Sequence, residues 1–384
     1  YDIALDLTCL DRIVAYDPSD LTLSVEPGIP LQRVAGVLAG HRQFLPLAVP
    51  FLSCTTAGGA IASGVQSPLR QAYGTARDFL LGLEFVTGEG IHSKSGGTVV
   101  KNVAGYDLHK LMIGAMGTLG VITKINFRTF PAPASTRVFS SCCDKAESAL
   151  ELCSRVVQSP LRPLTMEVLS PGAVEMLSSA IAARIAPGPE AVDRLPKTKW
   201  AFLAAFSGSG AALERYEREL RRMAETARCK SYEIFGDEKN PAAFGRLREF
   251  VPIALQSSPA TVIVKTSVLP SKLGALLEAA AEASQKSRLR WAAMAGGLAV
   301  SYVALLPDAC DEDSRSRART ATDQILETCA RLGGNSTIPW CPAEWKRSLN
   351  IWGPGRPDLE QMRKLKKVFD PAGTLAPGRF AGGI

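Results

Sequence analysis

The run Phe130-Pro-Ala-Pro-Ala134 constrains this chain most, because the apolar rhythm differs on its two sides. Two prolines in alternate positions hold the backbone extended and withdraw two amide donors, so neither a helix nor a central strand can run through them. Ahead of the run, short apolar strands at Leu21–Glu26, Phe79–Val86 and Val121–Phe127 alternate with glycine-rich turns. Helical patterns there are short, as at Leu31–Leu38, and the opening residues Tyr1–Leu7 read as a further strand. After the run, strands are expected at Val138–Ser141, Leu164–Leu169, Trp200–Phe206, Thr261–Leu269 and Leu298–Leu306. Helices with apolar residues three and four apart are expected near Lys145–Val157, Ala211–Ala227, Lys272–Ser284 and Ser314–Leu332. The mixture predicts an α+β layer whose antiparallel sheet is covered on one side. Expected boundaries are 1–133, 134–340 and 341–384, the last containing a helix at Leu359–Phe369 stopped by Asp370-Pro-Ala-Gly373.

Charge and cysteine usage narrow the function. The formal charge of +7 is dispersed, with Arg218, Arg221, Arg222 and Arg228 in one polar stretch and Lys364, Lys366 and Lys367 in another. With only 7% aromatic residues, no basic and aromatic surface for nucleic acid is expected. Nine cysteines without a C-x-x-C pair argue against a disulfide framework and against a zinc or iron–sulfur cradle, and point to a reducing compartment. Cys142 and Cys143, adjacent on a strand, are expected to face opposite ways. No apolar stretch is long enough for a membrane span and no signal peptide is recognisable; the first residue is Tyr1 rather than Met, and a segment upstream is expected.

Two segments carry the chemistry. Pro50-Phe-Leu-Ser-Cys-Thr-Thr-Ala-Gly-Gly-Ala-Ile-Ala-Ser-Gly64, followed by Tyr73-Gly74, is rich in hydroxyls and in positions without side chains. Backbone amides at Gly58 and Gly59 could approach a pyrophosphate, and Thr55, Thr56 and Ser63 could donate hydroxyl hydrogen bonds. Taken alone, the segment is better explained by a tight turn packed on a helix. Val99–Thr123 then joins Lys101-Asn102 and Gly105-Tyr106-Asp107 to the turn Gly117-Thr-Leu-Gly120. No G-x-G-x-x-G and no P-loop occurs.

Together the two segments resemble the FAD domain of the vanillyl-alcohol oxidase or PCMH type, in the branch containing D-lactate dehydrogenases and glycolate oxidase. The closing Phe369-Asp-Pro-Ala-Gly-Thr-Leu-Ala-Pro-Gly-Arg379 is similar to the same branch, in which the C-terminus returns to the flavin domain. The resemblance implies a PCMH-type FAD-binding domain, with its first subdomain preceding Tyr1, and an α+β cap with an antiparallel sheet. It implies FAD as cofactor and contacts at Pro50, Thr56, Gly58, Gly59, Ser63, Gly64, Gly74, Gly120 and Ile122. Lys101, Asn102 and Tyr106 would lie nearer the ring. Catalytic members usually carry an acid before Gly-Thr-Leu-Gly, where this chain has Met116, and a motif H-x-G-D-G-N-x-H where it has Trp291–Ala299. Ala376 stands where relatives often have Asn. The resemblance is therefore to the FAD-binding subunit of bacterial glycolate oxidase. It implies a small 2-hydroxy acid as substrate, a catalytic flavoprotein subunit and an iron–sulfur subunit as partners, and a cytoplasmic location with peripheral contact to the inner membrane through the complex. A free-standing D-lactate-type dehydrogenase and a flavin-free scaffold subunit remain alternatives; no catalytic or metal-binding residue is assigned.

Other candidates have plainer readings. His41, His92 and His109, scattered and flanked by polar or loop residues, read as surface histidines. Arg12, Arg77 and Asp78 could contact a ligand, or Arg77 and Asp78 could form a structural ion pair. Trp340, Trp345 and Trp352 read as an apolar patch under the returning C-terminus or at a subunit contact.

Overall fold

A computed structural model describes residues 2–99, 105–188, 190–229, 231–236, 245–297, 300–355 and 357–384. The chain divides into two units: Tyr1–Ala132 with Gly355–Ile384, and Pro133–Pro354. The proline run thus lies at the first crossing.

The first unit is built on an antiparallel sheet of β1 (Ile13–Asp17), β2 (Thr22–Val25), β3 (Leu80–Val86), β4 (His92–Gly96) and β5 (Val121–Arg128), in the order β1-β2-β5-β3-β4. Apolar alternation sends Leu83, Phe85, Ile125 and Phe127 into one core. Helix α1 (Leu31–Ala39) adds Leu31, Val34 and Leu38, spaced to share one face. The buried Asn126 side chain is satisfied at both ends. Ser24 Oγ pairs with its Oδ1 at 2.7 Å, and its amide donates to Gly97 O at 3.1 Å, which ties β2 and β5 to the end of β4. The opening residues do not form the expected strand: Asp2–Leu7 pair with no sheet, and Ile3 and Leu5 are exposed.

The second unit holds an eight-stranded antiparallel sheet: β6 (Thr136–Cys143), β7 (Thr165–Leu169), β8 (Trp200–Ser207), β9 (Ser231–Gly236), β10 (Val262–Ser267), β11 (Arg290–Gly296), β12 (Val300–Leu306) and β13 (Asn335–Trp340). Its order is β9-β6-β8-β7-β11-β12-β10-β13. Four long helices were expected here and four form, at Ala146–Gln158, Gly210–Thr226, Leu273–Lys286 and Glu312–Arg331. Their apolar stripes meet Met166, Val168, Val264, Val303 and Leu305 in one core. The other face is not bare, against the expectation of one-sided cover. Short helices Pro171–Leu177 and Phe250–Ser257 contact β7, β8, β11 and β12, and their buried side chains lie outside that core.

Residues 341–354, expected with the C-terminal segment, pack within the second unit. Trp345 and Leu349 are buried in its core, and Ile338 N–H donates to Ile351 O at 2.8 Å. Trp345 is therefore a core residue, not part of a patch under the C-terminus.

Candidate functional site

A cleft of about 910 Å³ opens on the first unit where segments distant in sequence converge: Asp2–Thr8, Pro27–Gly28, Thr56–Ser63, Met116–Ile122 and Gly373–Arg379. Its charged lining side chains are Asp2 and Arg379.

The first wall is the entry to helix α2 (Ala57–Ser63). Thr56 is extended, and its Oγ1 accepts the Gly59 N–H at 3.1 Å, which caps the helix. Gly58 is required by packing: a Cβ there would stand 2.6 Å from Pro27 Cβ, and its N–H donates to Pro27 O at 2.8 Å. Gly59 is exposed to the cleft, and a Cβ on it would meet only Thr56 Oγ1, at 3.1 Å. The hydroxyls are less available than their sequence suggests. Thr55 Oγ1 donates to Pro50 O and Ser63 Oγ to Gly59 O, at 2.8 and 2.7 Å, so Thr56 alone of the three keeps its proton for a ligand.

The second wall is the turn into β5. Met116 and Gly117 both take positive φ, 54° and 76°, and Met116 N–H donates to Ala62 O at 2.8 Å, fastening this wall to the first. A left-handed methionine is uncommon, so this position is held by its surroundings. Gly120 lies against the Phe85 ring, 3.0 Å from where its Cβ would be, and Ile122 is almost fully buried.

The third wall depends on one buried carboxylate that sequence reasoning read only as a helix stop. Asp370 follows α3 (Leu359–Phe369) and accepts Lys366 Nζ at 2.5 Å, Leu375 N–H at 2.8 Å, Thr374 Oγ1 at 3.0 Å and Thr374 N–H at 3.1 Å. Burial alone would raise its pKa, but Lys366 and the turn amides outweigh that and hold it down to about 2. Lys366 Nζ also donates to Thr118 O at 2.9 Å and Leu375 O at 2.8 Å, joining the second wall to the third. The Asp-Pro-x-Gly-Thr spacing that places two amides and a hydroxyl on one carboxylate was the available signal.

Of the nine residues named from sequence, Thr56, Gly58, Gly59, Ser63, Gly120 and Ile122 line this cleft; Pro50, Gly64 and Gly74 do not. Gly64 ends α2 in a left-handed turn, 3.1 Å from Gly114 Cα at the place of its missing Cβ. Gly74, at φ 77°, leaves no room for a Cβ beside the Asp78 carboxylate, which caps Thr75 N–H at 2.7 Å. Lys101 and Asn102 lie outside the described residues, and Tyr106 is 91% exposed. His109 is not a surface histidine. It is buried, 3.0 Å from Ser95 Oγ through Nδ1, and burial pushes its pKa down. His92 is exposed beside Glu84 and His41 stacks edge-on with Tyr16. Arg12 is engaged by Glu26, with Nη2–Oε1 at 2.8 Å.

In the second unit, Glu167 on β7 sits between Leu203 and Gly296 of the neighbouring strands. Burial drives its pKa up to about 8 against the opposing effect of Thr165, so the carboxyl is mostly protonated at neutral pH. No group of three or more His, Cys, Asp or Glu side chains is poised to hold a metal among the described residues, and no helix among them is long and apolar enough to cross a membrane.

Known proteins resemble this chain along most of its length. Residues 1–106 match the family described as FAD binding domain, and residues 132–338 and 349–380 match the FAD linked oxidases, C-terminal domain. Glycolate oxidase subunit GlcE of Escherichia coli is 39% identical over 166 residues, 43% of this chain and 46% of that protein. Glycolate oxidase subunit GlcD of Bacillus subtilis is 23% identical over 373 residues, 97% of this chain and 77% of that one. The match to the first thus spans under half of its length. Among solved structures, p-cresol methylhydroxylase with substrate bound superposes at a TM-score of 0.77 and 16% identity, covering 98% of this chain and 79% of that one. The α+β architecture is therefore that of the PCMH-type flavin oxidases, and the chain belongs to the FAD-linked oxidase family.

Proposed function

We propose that the first unit holds FAD along the cleft, as the FAD-binding subunit of a glycolate-oxidase-type complex that oxidises a small 2-hydroxy acid to the 2-oxo acid and passes the electrons to a partner. The carrying observation is that both glycine-rich segments and the Asp-Pro-Ala-Gly-Thr segment, which are far apart in sequence, wall one cleft. Its volume lies within the roughly 300–1,000 Å³ of cofactor clefts. Its walls offer backbone and small residues, and Arg379 brings positive charge suited to a diphosphate. Thr56 would donate through Oγ1, Gly59 would let the ligand approach the backbone, and Gly120 and Ile122 would line the far side. Ser63 and Gly58 would shape the wall, and Pro50, Gly64 and Gly74 would set the flanking turns.

Bound FAD supplies the hydride acceptor. The hydroxyl proton of the substrate needs a base or metal, and no histidine occurs in the second unit, all three lying at or before residue 109, so we assign that task to a catalytic flavoprotein subunit. An iron–sulfur subunit would carry electrons onward, in a cytoplasmic complex touching the inner membrane.

The test is visible absorbance of the purified protein loaded with FAD, followed by anaerobic addition of glycolate or D-lactate. Bound flavin that bleaches slowly alone and rapidly with the partners supports the reading. Failure to retain flavin points to a scaffold subunit, and rapid bleaching by the lone chain to a free-standing dehydrogenase.

A further inference from the structure

Cys143 ends β6, and Cys229 lies 86 residues later, yet their Sγ atoms are 2.8 Å apart, closer than two unbonded sulfurs normally rest. The end of the helix Gly210–Thr226 makes this approach. Arg228 takes a left-handed φ of 59° and Cys229 N–H reaches back to Ala224 O at 2.9 Å, a helix-terminating turn that swings the thiol onto β6. The strand pairing that follows, Ser231 opposite Cys142, fixes the turn there. Cys143 is buried and Cys229 half-buried, so one sulfur of the pair can be reached.

We propose that Cys143 and Cys229 form a thiol–disulfide exchange site that accepts oxidising equivalents from a low-molecular-weight disulfide and closes into an intramolecular bond. The Cys229 thiolate attacks one sulfur of the small disulfide, forming a mixed disulfide and releasing one small thiol. Cys143 then loses its proton and attacks Cys229 Sγ, forming the protein disulfide and releasing the second small thiol. Two protein thiols are oxidised by two electrons, one small disulfide is reduced to two thiols, and the two protons leave with them. Cys229 is the attacking sulfur because it is the more accessible and because its close contact with Cys143 holds its pKa down, while that contact and burial raise that of Cys143. Cys142 points to the opposite face of β6 and takes no part.

The experiment treats the full chain with oxidised glutathione, blocks remaining thiols with N-ethylmaleimide and maps the digest by mass spectrometry. The expected product is a reducible link between the Cys143 and Cys229 peptides. It should persist in Cys142→Ser, and Cys143→Ser should instead retain glutathione on Cys229. Closing so long a loop should raise the melting midpoint of the second unit by roughly 5 °C or more, and Cys229→Ser should show no rise. Recovery of both Cys143 and Cys229 as maleimide adducts, while the exposed Cys9, Cys54 or Cys310 carry glutathione, would overturn the proposal. So would a link from Cys229 to Cys142.

Discussion

Replacing Asp370 with Ala removes the one acceptor shared by Lys366 Nζ, Thr374 N–H, Thr374 Oγ1 and Leu375 N–H. The Lys366 side chain, 11% exposed, is left with a buried positive charge and only the carbonyls of Thr118 and Leu375. Removing one member of a buried, hydrogen-bonded ion pair costs about 3–5 kcal/mol, most of it from the charge left behind. The loss falls on the turn Gly373–Arg379 and, through Thr118, on the turn into β5, so two walls of the cleft loosen together. All five tryptophans lie in the second unit, so their fluorescence would miss the effect. Hydrogen exchange at the Thr374 and Leu375 amides reads it directly: a loss of about 3 kcal/mol speeds exchange roughly a hundredfold where local opening is the limiting step. Asp370→Leu combined with Lys366→Met should recover much of the stability, because it removes both charges. Asp370→Ala exchanging within threefold of wild type would refute the central role of this carboxylate. Asp370 is held below its unfolded pKa, so its contribution is complete above about pH 4 and disappears only as the pH falls through about 2.

Other outcomes follow from the same geometry. Gly59→Val should abolish flavin retention in a folded first unit, whereas Gly58→Val should unfold the α2 wall against Pro27; circular dichroism beside flavin absorbance separates the two. Ser63→Ala should change flavin affinity by less than about threefold, because that hydroxyl already donates to Gly59 O, and Thr56→Val should lose about 1 kcal/mol of helix capping as well as affinity. Glu167 has a folded pKa raised to about 8, so its contribution is full below the unfolded carboxyl value and declines by about 1.4 kcal/mol per pH unit up to pH 8. Glu167→Gln should flatten that decline in the tryptophan-monitored unfolding of the second unit; an unchanged slope would exclude it. Acid precipitation should release all flavin colour, and colour kept in the pellet would reveal a covalent link.

The second unit was legible because its helices bury one stripe each, and residues three and four apart record that stripe directly. The central strand Arg290–Gly296 was missed, and so were the two edge strands, these for a physical reason. Ser231–Gly236 and Asn335–Trp340 each pair on one side only, and the latter tolerates Pro339, so neither needs the apolar run expected of a central strand. The glycine-rich segments announced a site but not the work of each residue. Pattern alone could not separate Gly58, fixed by Pro27, from Gly59, open to the cleft. Nor could it show that Ser63 and Thr55 turn their protons inward, or that His109 packs under Ser95. The Asp2–Leu7 stretch has strand composition, yet it pairs with no strand among the described residues.

The discontinuity of the first unit bears on how the protein is made. Its sheet is complete by residue 128, but the turn that closes the cleft comes after Pro133–Pro354 has been synthesised. Domains tend to fold as they leave the ribosome, in order from the N-terminus. A nascent first unit must therefore wait, with an open cleft and an unfinished core, while some 220 further residues are added and fold. Holding that opening costs little extra entropy, because loop closure grows only with the logarithm of length. Chain termination before Lys366 would remove both Lys366 and Asp370, and with them the bonds that join the last turn of the first unit to Thr118.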